Sequence, residues 1–316
     1  MTTGIIHRIN LAIDYFYNKL RYKCRYGKRN NITVMSATDT VNKVISESKS
    51  VCRYGDGELN MVISSIIGYD SSRKSGFQTY DHSLGSRLKE ILRNADNQEN
   101  CIVCLPGCMY NIGTSYLNRA ATSFWEKYSN QNIKYLDNIL HRNHIYGETN
   151  FTRFYLSHKD KSRCKRNLEH IKKIWDSRNI LIVEGEKTRL GVGNDLFDNA
   201  NSIERILCPA KDAWSKYDEI YKTVSEEANK KKLKGDNPII IIALGMTATV
   251  LAYDLSQENY QAIDLGHLDI EYEWMRMGAT HKVAIKGKFT NEASDNDTIS
   301  DPQTQEYASQ ILTRIE

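Results

Sequence analysis

The chain has 316 residues, of which 40% are hydrophobic, so it can bury a complete core and is long for one domain but short for two large ones. Its formal net charge of +4 comes from the N-terminal segment, because residues 1–30 hold seven of the 43 Lys and Arg residues and one of the 39 Asp and Glu residues. The remainder is close to neutral, which argues against a nucleic-acid-binding protein.

The first predicted element is an amphipathic helix over residues 5–20, followed by a basic cluster at 21–29. In one interpretation this helix lies on an anionic membrane surface. In the other it packs on the body or on a second subunit of a homo-oligomer, and its basic tail is solvated. The tyrosines of this segment suit an interface of either kind. We therefore treat residues 1–35 as a basic amphipathic N-terminal extension.

After a short helix predicted over residues 39–47, a strand at 50–54 ends in the motif Arg53-Tyr54-Gly55-Asp56-Gly57-Glu58, and a further helix is predicted over 59–67. The two carboxylates of the motif can bind one hard divalent cation if the turn brings them together. Its two glycines let the backbone approach an anionic ligand. The Asp-x-Glu spacing alone is a weak signal, because residues 269–271 repeat it.

The middle of the chain begins with a loop at 69–81, a helix over 84–92 and a strand over 101–105. Residues 114–176 are mostly helical in pattern, with no strong strand, and we interpret them as a helical insertion that shapes a substrate pocket. The seven cysteines, in a chain without a signal peptide, indicate reduced thiols in a cytoplasmic protein. Three of them at 101, 104 and 108 suggest a zinc knuckle, but no fourth ligand stands at zinc spacing.

In the second half of the chain, apolar strands are predicted at residues 179–183, 203–207, 239–244 and 262–265, separated by helices. This alternation indicates an α/β fold with a mostly parallel sheet covered by helices on both faces. Ligands of such sheets bind at the carboxyl ends of the strands. No apolar run approaches the roughly 20 residues that a membrane-spanning helix needs.

Glycine-bearing polar loops follow the strand at 50–54 and three of the four later strands, which favours an active site at one edge of the sheet. Arginine side chains and backbone N–H groups at helix starts are suited to phosphate oxygens, and carboxylates are suited to a divalent metal. The predicted cofactor-binding residues are Arg53, Gly55, Gly57, Arg189, Gly191, Gly193, Asn194, Asp195, Gly245 and Thr247. The predicted metal ligands are Asp56, Glu58 and, as a third contact, His267, which shares a helix face with Glu271.

Two other classes of nucleotide-binding protein are disfavoured by motifs. The P-loop pattern is absent, and Gly191 and Gly193 are not followed by the third glycine of the dinucleotide-binding pattern. A Rossmann-like methyltransferase or dehydrogenase remains an alternative that needs no paired carboxylates. A nucleotide-sugar-binding protein that has lost catalysis is the non-enzymatic alternative.

At these residues the chain resembles the bacterial glycosyltransferases of the GT-D fold, a former domain of unknown function. The matching stretches occur in one order: 53–58, 183–197, 206–210, 244–254 and 263–274. The resemblance implies a single Rossmann-like domain at 36–290, and a Mn²⁺- or Mg²⁺-dependent transfer from a nucleotide sugar, typically UDP-glucose, in surface polysaccharide or glycoprotein synthesis. The family's Asp-x-Glu metal motif maps onto Asp56 and Glu58. Met246 departs from the small residue expected there, and residues 291–316 form a polar C-terminal tail outside the resemblance.

We therefore predict an inverting glycosyltransferase in which the metal held by Asp56 and Glu58 neutralises the leaving nucleoside diphosphate. A carboxylate, Glu271 as first choice and Asp269 as second, deprotonates the acceptor hydroxyl. Both could equally cap the helix or pair with basic residues. The expected acceptor is a lipid-linked glycan at the inner face of the membrane or a protein-linked glycan, and we expect a cytoplasmic protein, in the first case peripheral to that membrane.

Overall fold

The structure is a computed structural model, and it describes residues 2–29, 32–69, 77–290, 293 and 304–316. Within these residues the strands form one nine-stranded sheet in which every pairing is parallel. In chain order the strands are β1 (Thr33–Val34), β2 (Ser50–Arg53), β3 (Cys101–Leu105), β4 (Ile145–Glu148), β5 (Asn179–Gly185), β6 (Ser202–Cys208), β7 (Ile239–Ala243), β8 (Ala262–Asp264) and β9 (Ile311–Arg314). Across the sheet they run β1-β4-β3-β2-β8-β7-β5-β6-β9.

Helices cover both faces of the sheet. They are α1 (Thr2–Arg29), α2 (Ala37–Glu47), α3 (Asp56–Ile67), α4 (His82–Arg93), α5 (Arg119–Leu136), α6 (Cys164–Lys172), α7 (Tyr217–Leu233), α8 (Met246–Gln257), α9 (Leu268–Arg276) and α10 (Gln305–Ser309). Alternate residues of β7 belong to different cores: Ile240 and Ile242 pack with α3, α4, α7 and α8, whereas Ile239 and Ile241 pack with α2, α6 and α9. The predicted α/β fold with a parallel sheet flanked by helices is confirmed.

The segment 114–176, predicted to be mostly helical with no strong strand, contains β4, which pairs with both β1 and β3. Its sequence, Ile-Tyr-Gly-Glu, is short and ends in a charged residue, and Ile145 is 57% exposed, so the apolar signal is weak. Gly147 is required there, because a Cβ atom would lie 2.4 Å from Sγ of Cys104 on the neighbouring strand. β1, in turn, ends the segment that the sequence assigned to an N-terminal extension.

The C-terminal residues 304–316, predicted as part of a polar tail, form α10 and the edge strand β9, which pairs with β6. Exposure alternates along β9, which has only four residues and packs one side against its neighbours, so it carries no continuous apolar run. The Tyr307 hydroxyl of α10 donates a 3.3 Å hydrogen bond to Glu184 inside the sheet. This end of the chain is therefore structurally part of the α/β domain.

α1 is the predicted amphipathic helix, and it extends beyond the expected range to Thr2–Arg29. It packs on α5, where Tyr22 is buried and donates a 2.6 Å hydrogen bond to the carbonyl oxygen of Cys108. None of the helices in the described part of the chain is long and apolar enough to cross a membrane. The predicted loop at 69–81 lies mainly at residues 70–76, outside the described residues. All seven cysteines are free thiols.

Candidate active site at the carboxyl edge of the sheet

The Asp-x-Glu motif forms the turn between β2 and the first turn of α3. Gly55 is the N-terminal cap of α3, and its N–H donates a 2.8 Å hydrogen bond to Oε2 of Glu58. Asp56 begins the helix and is exposed, whereas Glu58 is half-buried. The positive end of the helix dipole favours two carboxylates in this position. Both residues of the predicted pair therefore lie in the first turn of α3, at the edge where ligands of parallel sheets bind.

A third carboxylate, Asp264 at the end of β8, lies beside this pair and was not among the sequence-predicted site residues. It is 2% exposed, and burial raises the pKa of its carboxyl, an effect that the positive charge of Arg53 partly offsets. Burial raises the pKa of Glu58 to about 7, and the negative charge of Asp264 adds to this effect. An acidic residue within an apolar strand segment was the available signal for Asp264, since such residues are seldom buried without a partner.

Arg53 joins three segments at this edge. Its Nε donates to the carbonyl oxygen of Asp264 at 2.8 Å, its Nη2 lies 3.1 Å from Oδ1 of the same residue, and its Nη1 donates to Oγ1 of Thr152 at 2.7 Å. Gly266 makes room for the guanidinium, because a Cβ atom there would lie 1.8 Å from Nη2. These contacts favour a structural role for Arg53 over the predicted phosphate contact.

The predicted general bases lie on α9, and both are buried and bound to donors. Oε2 of Glu271 accepts hydrogen bonds from the backbone N–H groups of Tyr155 at 3.0 Å and Leu156 at 2.7 Å. One carboxylate oxygen of Asp269 forms a 2.6 Å ion pair with Nζ of Lys288, and the other accepts a 2.7 Å hydrogen bond from Asn194. Glu271 is 1% exposed and Asp269 is 2% exposed, so neither carboxylate is open to an acceptor.

His267 directly precedes α9 and does not join the carboxylates in a three-residue cluster. Its Nδ1 lies 3.1 Å from Nη2 of Arg153, and its ring contacts the ring of Phe77 at a centroid distance of 5.7 Å. A metal ion at Nδ1 would have to replace this contact with a guanidinium. Among the described residues, no group of three or more His, Cys, Asp and Glu side chains is arranged to hold a metal ion.

The loop after β5 turns back onto α9. Gly191 and Gly193 have φ values of +73° and +79°, and a Cβ atom on Gly191 would lie 2.4 Å from the ring of Phe197. Nδ2 of Asn194 lies 2.7 Å from Asp269 and 2.5 Å from Glu273, while Asp195 accepts a hydrogen bond from the Tyr272 hydroxyl. Arg189 is half-buried at φ +50°. The side chains of Asn194 and Asp195 thus bind α9.

The start of α8 combines a glycine turn with a buried hydroxyl. Gly245 has φ +56° and precedes the helix, and Thr247 in its first turn is 1% exposed. Oγ1 of Thr247 has no hydrogen-bond partner among the described residues. Backbone N–H groups of a first helical turn also lack partners within the helix, so this position can bind an anion.

A cavity of about 630 Å³ opens at the carboxyl ends of β5, β6 and β9, within the range typical of small-molecule sites. Lys187, Lys211 and Arg314 line it together with Phe289 and the Cys208-Pro209-Ala210 turn. Nζ of Lys211 lies 5.9 Å from the ring centroid of Phe289. The sequence analysis did not identify this cavity, because its walls combine the turn after β6 with Phe289 and Arg314, about 80 and 105 positions later in the chain.

Comparison with known proteins gives a consistent result. Residues 51–293 match the family described as "Glycosyltransferase GT-D fold". The chain is 37% identical over 286 residues to glycosyltransferase GlyD of Streptococcus pneumoniae, covering 90% of this chain and 33% of the relative. It is 37% identical over 285 residues to the probable glycosyl transferase Gly of Streptococcus gordonii, covering 90% of this chain and 39% of the relative. The chain thus spans about a third to two fifths of these relatives.

Solved structures match over nearly the whole chain. One is a domain of unknown function whose description gives it a distinct glycosyltransferase fold; it superposes with a TM-score of 0.82 at 35% identity and covers 93% of this chain and 100% of its own. Another, described as a new glycosyltransferase from Streptococcus sanguinis, superposes with a TM-score of 0.79 at 36% identity. The match covers 90% of this chain and 100% of that structure.

Proposed function

Because this chain belongs to the family of glycosyltransferases with the GT-D fold, we propose that it is a metal-dependent, inverting glycosyltransferase that moves a sugar from a UDP-sugar to a hydroxyl of a glycan acceptor. The transferred sugar is glucose in this proposal. The acceptor is a lipid-linked or protein-linked glycan of bacterial surface polysaccharide or glycoprotein synthesis, and the reaction takes place in the cytoplasm.

The observation that carries the proposal is the position of Asp56 and Glu58 in the first turn of α3, with Asp264 behind them. Carboxylate oxygens are the ligands that Mg²⁺ and Mn²⁺ prefer, and Mg²⁺ sites commonly use one or two carboxylates together with substrate phosphates. A site with only two protein ligands therefore fits a metal that arrives with the nucleotide. When bound, the cation would neutralise charge on the leaving diphosphate.

The phosphate contacts that we propose lie at neighbouring strand ends. The first turn of α8 offers backbone N–H groups and the buried hydroxyl of Thr247, for which a phosphate oxygen would supply a partner. The cavity beside Lys187, Lys211 and Phe289 offers cations and an aromatic ring to the rest of the nucleotide. Arg53 acts by holding β2 and β8 in place, so that the carboxylates remain aligned.

The roles of Glu271 and Asp269 change in this proposal. A general base must direct an oxygen at the proton that it accepts. Glu271 instead holds the backbone at residues 155 and 156, and Asp269 is bound to Lys288 and Asn194. We therefore assign both residues to anchoring α9 against its neighbours.

The test is a screen of UDP-sugars by nucleotide release from the purified chain, with Mn²⁺ or Mg²⁺ and with a chelator. We expect metal-dependent release, and a loss of more than about 100-fold in Asp56→Asn and Glu58→Gln, because removing transition-state charge stabilisation typically costs this much. Asp218→Asn, an exposed acid in the first turn of α7, is the matched control. Normal turnover in either motif variant would contradict the assignment.

The alternatives give different results in a parallel binding measurement. A dehydrogenase or methyltransferase would bind NAD or a methyl donor with no effect of Mn²⁺. A catalytically inactive nucleotide-sugar-binding protein would bind UDP in the presence of metal but release no nucleotide from any donor and acceptor pair.

A further inference from the structure

One face of α1 carries an apolar stripe that points away from the protein. Ile13, Phe16, Tyr17 and Leu20 follow one another at intervals of three, one and three residues, which places them on one side of a helix. Their side chains are between 58% and 64% exposed, so the body does not cover them. Residues this apolar are normally found inside a protein, and a contiguous exposed group of them marks an interaction surface.

The opposite face of the same helix attaches α1 to the body. Asn18 and Tyr22 are buried there, Nδ2 of Asn130 on α5 donates a 2.8 Å hydrogen bond to the carbonyl oxygen of Asn18, and the Tyr22 hydroxyl binds the carbonyl of Cys108 at 2.6 Å. Lys127 of α5 forms a 2.7 Å ion pair with Asp14. Among the described side chains of α1, residues 12–25, those at 14, 18 and 22 thus make polar contacts with the body, and the apolar stripe faces outward.

Positive charge flanks the stripe on both sides. On a helical wheel Arg21 lies on one side of the stripe, and Lys19 and Lys23 lie on the other. The one acidic residue among the described side chains of α1, Asp14, is already paired with Lys127. The stripe and its flanking cations therefore complement a surface that has an apolar interior and negatively charged groups at its boundary with water.

We propose that α1 binds in the plane of an anionic lipid bilayer, with the stripe inserted at the boundary between headgroups and acyl chains. A helix of 28 residues is about 42 Å long, enough to lie along such a surface. Anionic headgroups neutralise the flanking cations. A second copy docking through the same stripe would instead bring two sets of cations together, since a two-fold contact pairs a surface with itself.

The experiment is vesicle flotation of the full chain with phosphatidylcholine alone and with phosphatidylglycerol added. We expect flotation with the anionic vesicles only, and its weakening as salt shortens the range of the electrostatic attraction. The triple variant Ile13→Ser, Phe16→Ser, Leu20→Ser should reduce bound protein more than about tenfold, because it removes most of the buried apolar area. The charge variant Arg21→Glu, Lys23→Glu should lose binding to anionic vesicles to a similar degree.

The matched control replaces exposed apolar residues elsewhere, Ile66→Ser, Leu233→Ser and Met277→Ser, and should float like the unmodified chain. Circular dichroism and the melting temperature confirm that each variant folds. Absence of flotation with anionic vesicles, or equal flotation of the stripe variant and the unmodified chain, would overturn the proposal. A dimer by light scattering that the stripe variant converts to a monomer, without vesicle binding, would assign the stripe to a second copy and would also overturn it.

Discussion

Glu271 is the residue whose proposed role differs most from its sequence-based prediction. Both backbone N–H groups that it binds, at Tyr155 and Leu156, donate to the same oxygen, Oε2. A glutamine can present its carbonyl oxygen at that position and keep both hydrogen bonds, but it cannot act as a base. The substitution therefore separates an anchoring role from proton transfer.

We expect Glu271→Gln to retain turnover within about tenfold, whereas loss of a general base typically costs 10²- to 10⁴-fold. Glu271→Ala leaves two buried donors unpaired and should lower the free energy of unfolding by about 2–4 kcal/mol. Single-turnover kinetics and urea unfolding measure the two effects. A stable Glu271→Gln protein with turnover reduced more than about 100-fold would restore Glu271 as the base.

How far the sequence predicts the site also depends on individual residues. Asp56 and Glu58 are recognisable because they follow one another in a local glycine turn, and no distant residue is needed to place both in the first turn of α3. The contact between Arg53 and Asp264 joins residues 211 positions apart, so no local pattern contains it. No local pattern contains the contact between Glu148 and Gly107 either. Glu148 is buried at the end of β4 and accepts a 3.1 Å hydrogen bond from the N–H of Gly107.

At the level of whole elements, the predictable strands are those buried on both faces. β3 and β7 are buried at every position and read as continuous apolar runs. β4 and β9 are short, partly exposed strands that the sequence does not reveal. Their positions in the sheet follow from pairing with β3 and β6, respectively, and not from their own composition.

The edge of the sheet beyond β5 is held by a buried ion pair. Nη1 of Arg205 on β6 lies 2.6 Å from Oε1 of Glu184 on β5, and the two side chains are 2% and 0% exposed. Arg205 also donates to the carbonyl oxygen of Leu190 at 3.0 Å and to Gln310 at 2.7 Å, next to β9. One pair therefore connects two strands, the glycine loop after β5 and the C-terminal edge.

Replacing Arg205 with Met should lower the free energy of unfolding by about 3–5 kcal/mol, because it leaves Glu184 buried without its cation. In the double variant Glu184→Gln, Arg205→Met the uncompensated charge is gone, while the amide oxygen can still accept from the N–H of Leu190. We expect the double variant to recover at least half of the free energy of unfolding that Arg205→Met loses, as measured by urea unfolding. Strictly additive effects of the two single substitutions would contradict this coupling.

At the scale of the whole molecule, the candidate site exists only when the complete sheet has formed. β2 and β8 lie side by side, with Val51 opposite Ile263, although the rest of the domain separates them in the chain. Asp56 and Glu58 come from one end of the domain, and Thr247 and Asp264 from the other. Formation of the sheet buries several carboxylates and removes their hydration. Their pKa values therefore differ between the folded and unfolded states, and folding stability depends on pH.

Burial raises the pKa of Glu148 to about 7 from an ordinary value of 4.5, so the folded chain holds this proton more tightly than the unfolded chain. Between about pH 4.5 and pH 7 the folded state binds more protons at this group, and stability falls as pH rises. Burial raises the pKa of Glu184 as well, which acts in the same direction. The full pKa difference of Glu148 between the folded and unfolded states corresponds to at most about 3–4 kcal/mol of stability.

Burial also raises the pKa of Glu58 to about 7, so Glu58 titrates in the same range and sense as Glu148. Further groups titrate in different ranges or in the opposite sense. The pKa of Asp81 is lowered, chiefly by hydrogen bonds from Ser83 and Leu84 that outweigh its desolvation, so this carboxylate is ionised in both states above about pH 5. Burial lowers the pKa of His158 to about 4, so its contribution to stability grows as pH rises to about 6.5 and is constant above it. A comparison of two proteins that differ only at residue 148 cancels these terms.

Glu148→Gln is that comparison, since the amide remains neutral throughout and its oxygen can still accept from the N–H of Asn150. Relative to the unmodified chain, the free energy of unfolding of this variant should rise by on the order of 1–3 kcal/mol between about pH 5 and about pH 8. Urea unfolding at several pH values in this window measures it, with Glu47→Gln, an exposed acid on α2, as control. If the difference in free energy of unfolding between the two proteins is independent of pH, the Glu148 carboxyl has the same pKa in the folded and unfolded states. The sheet edge would then not desolvate it.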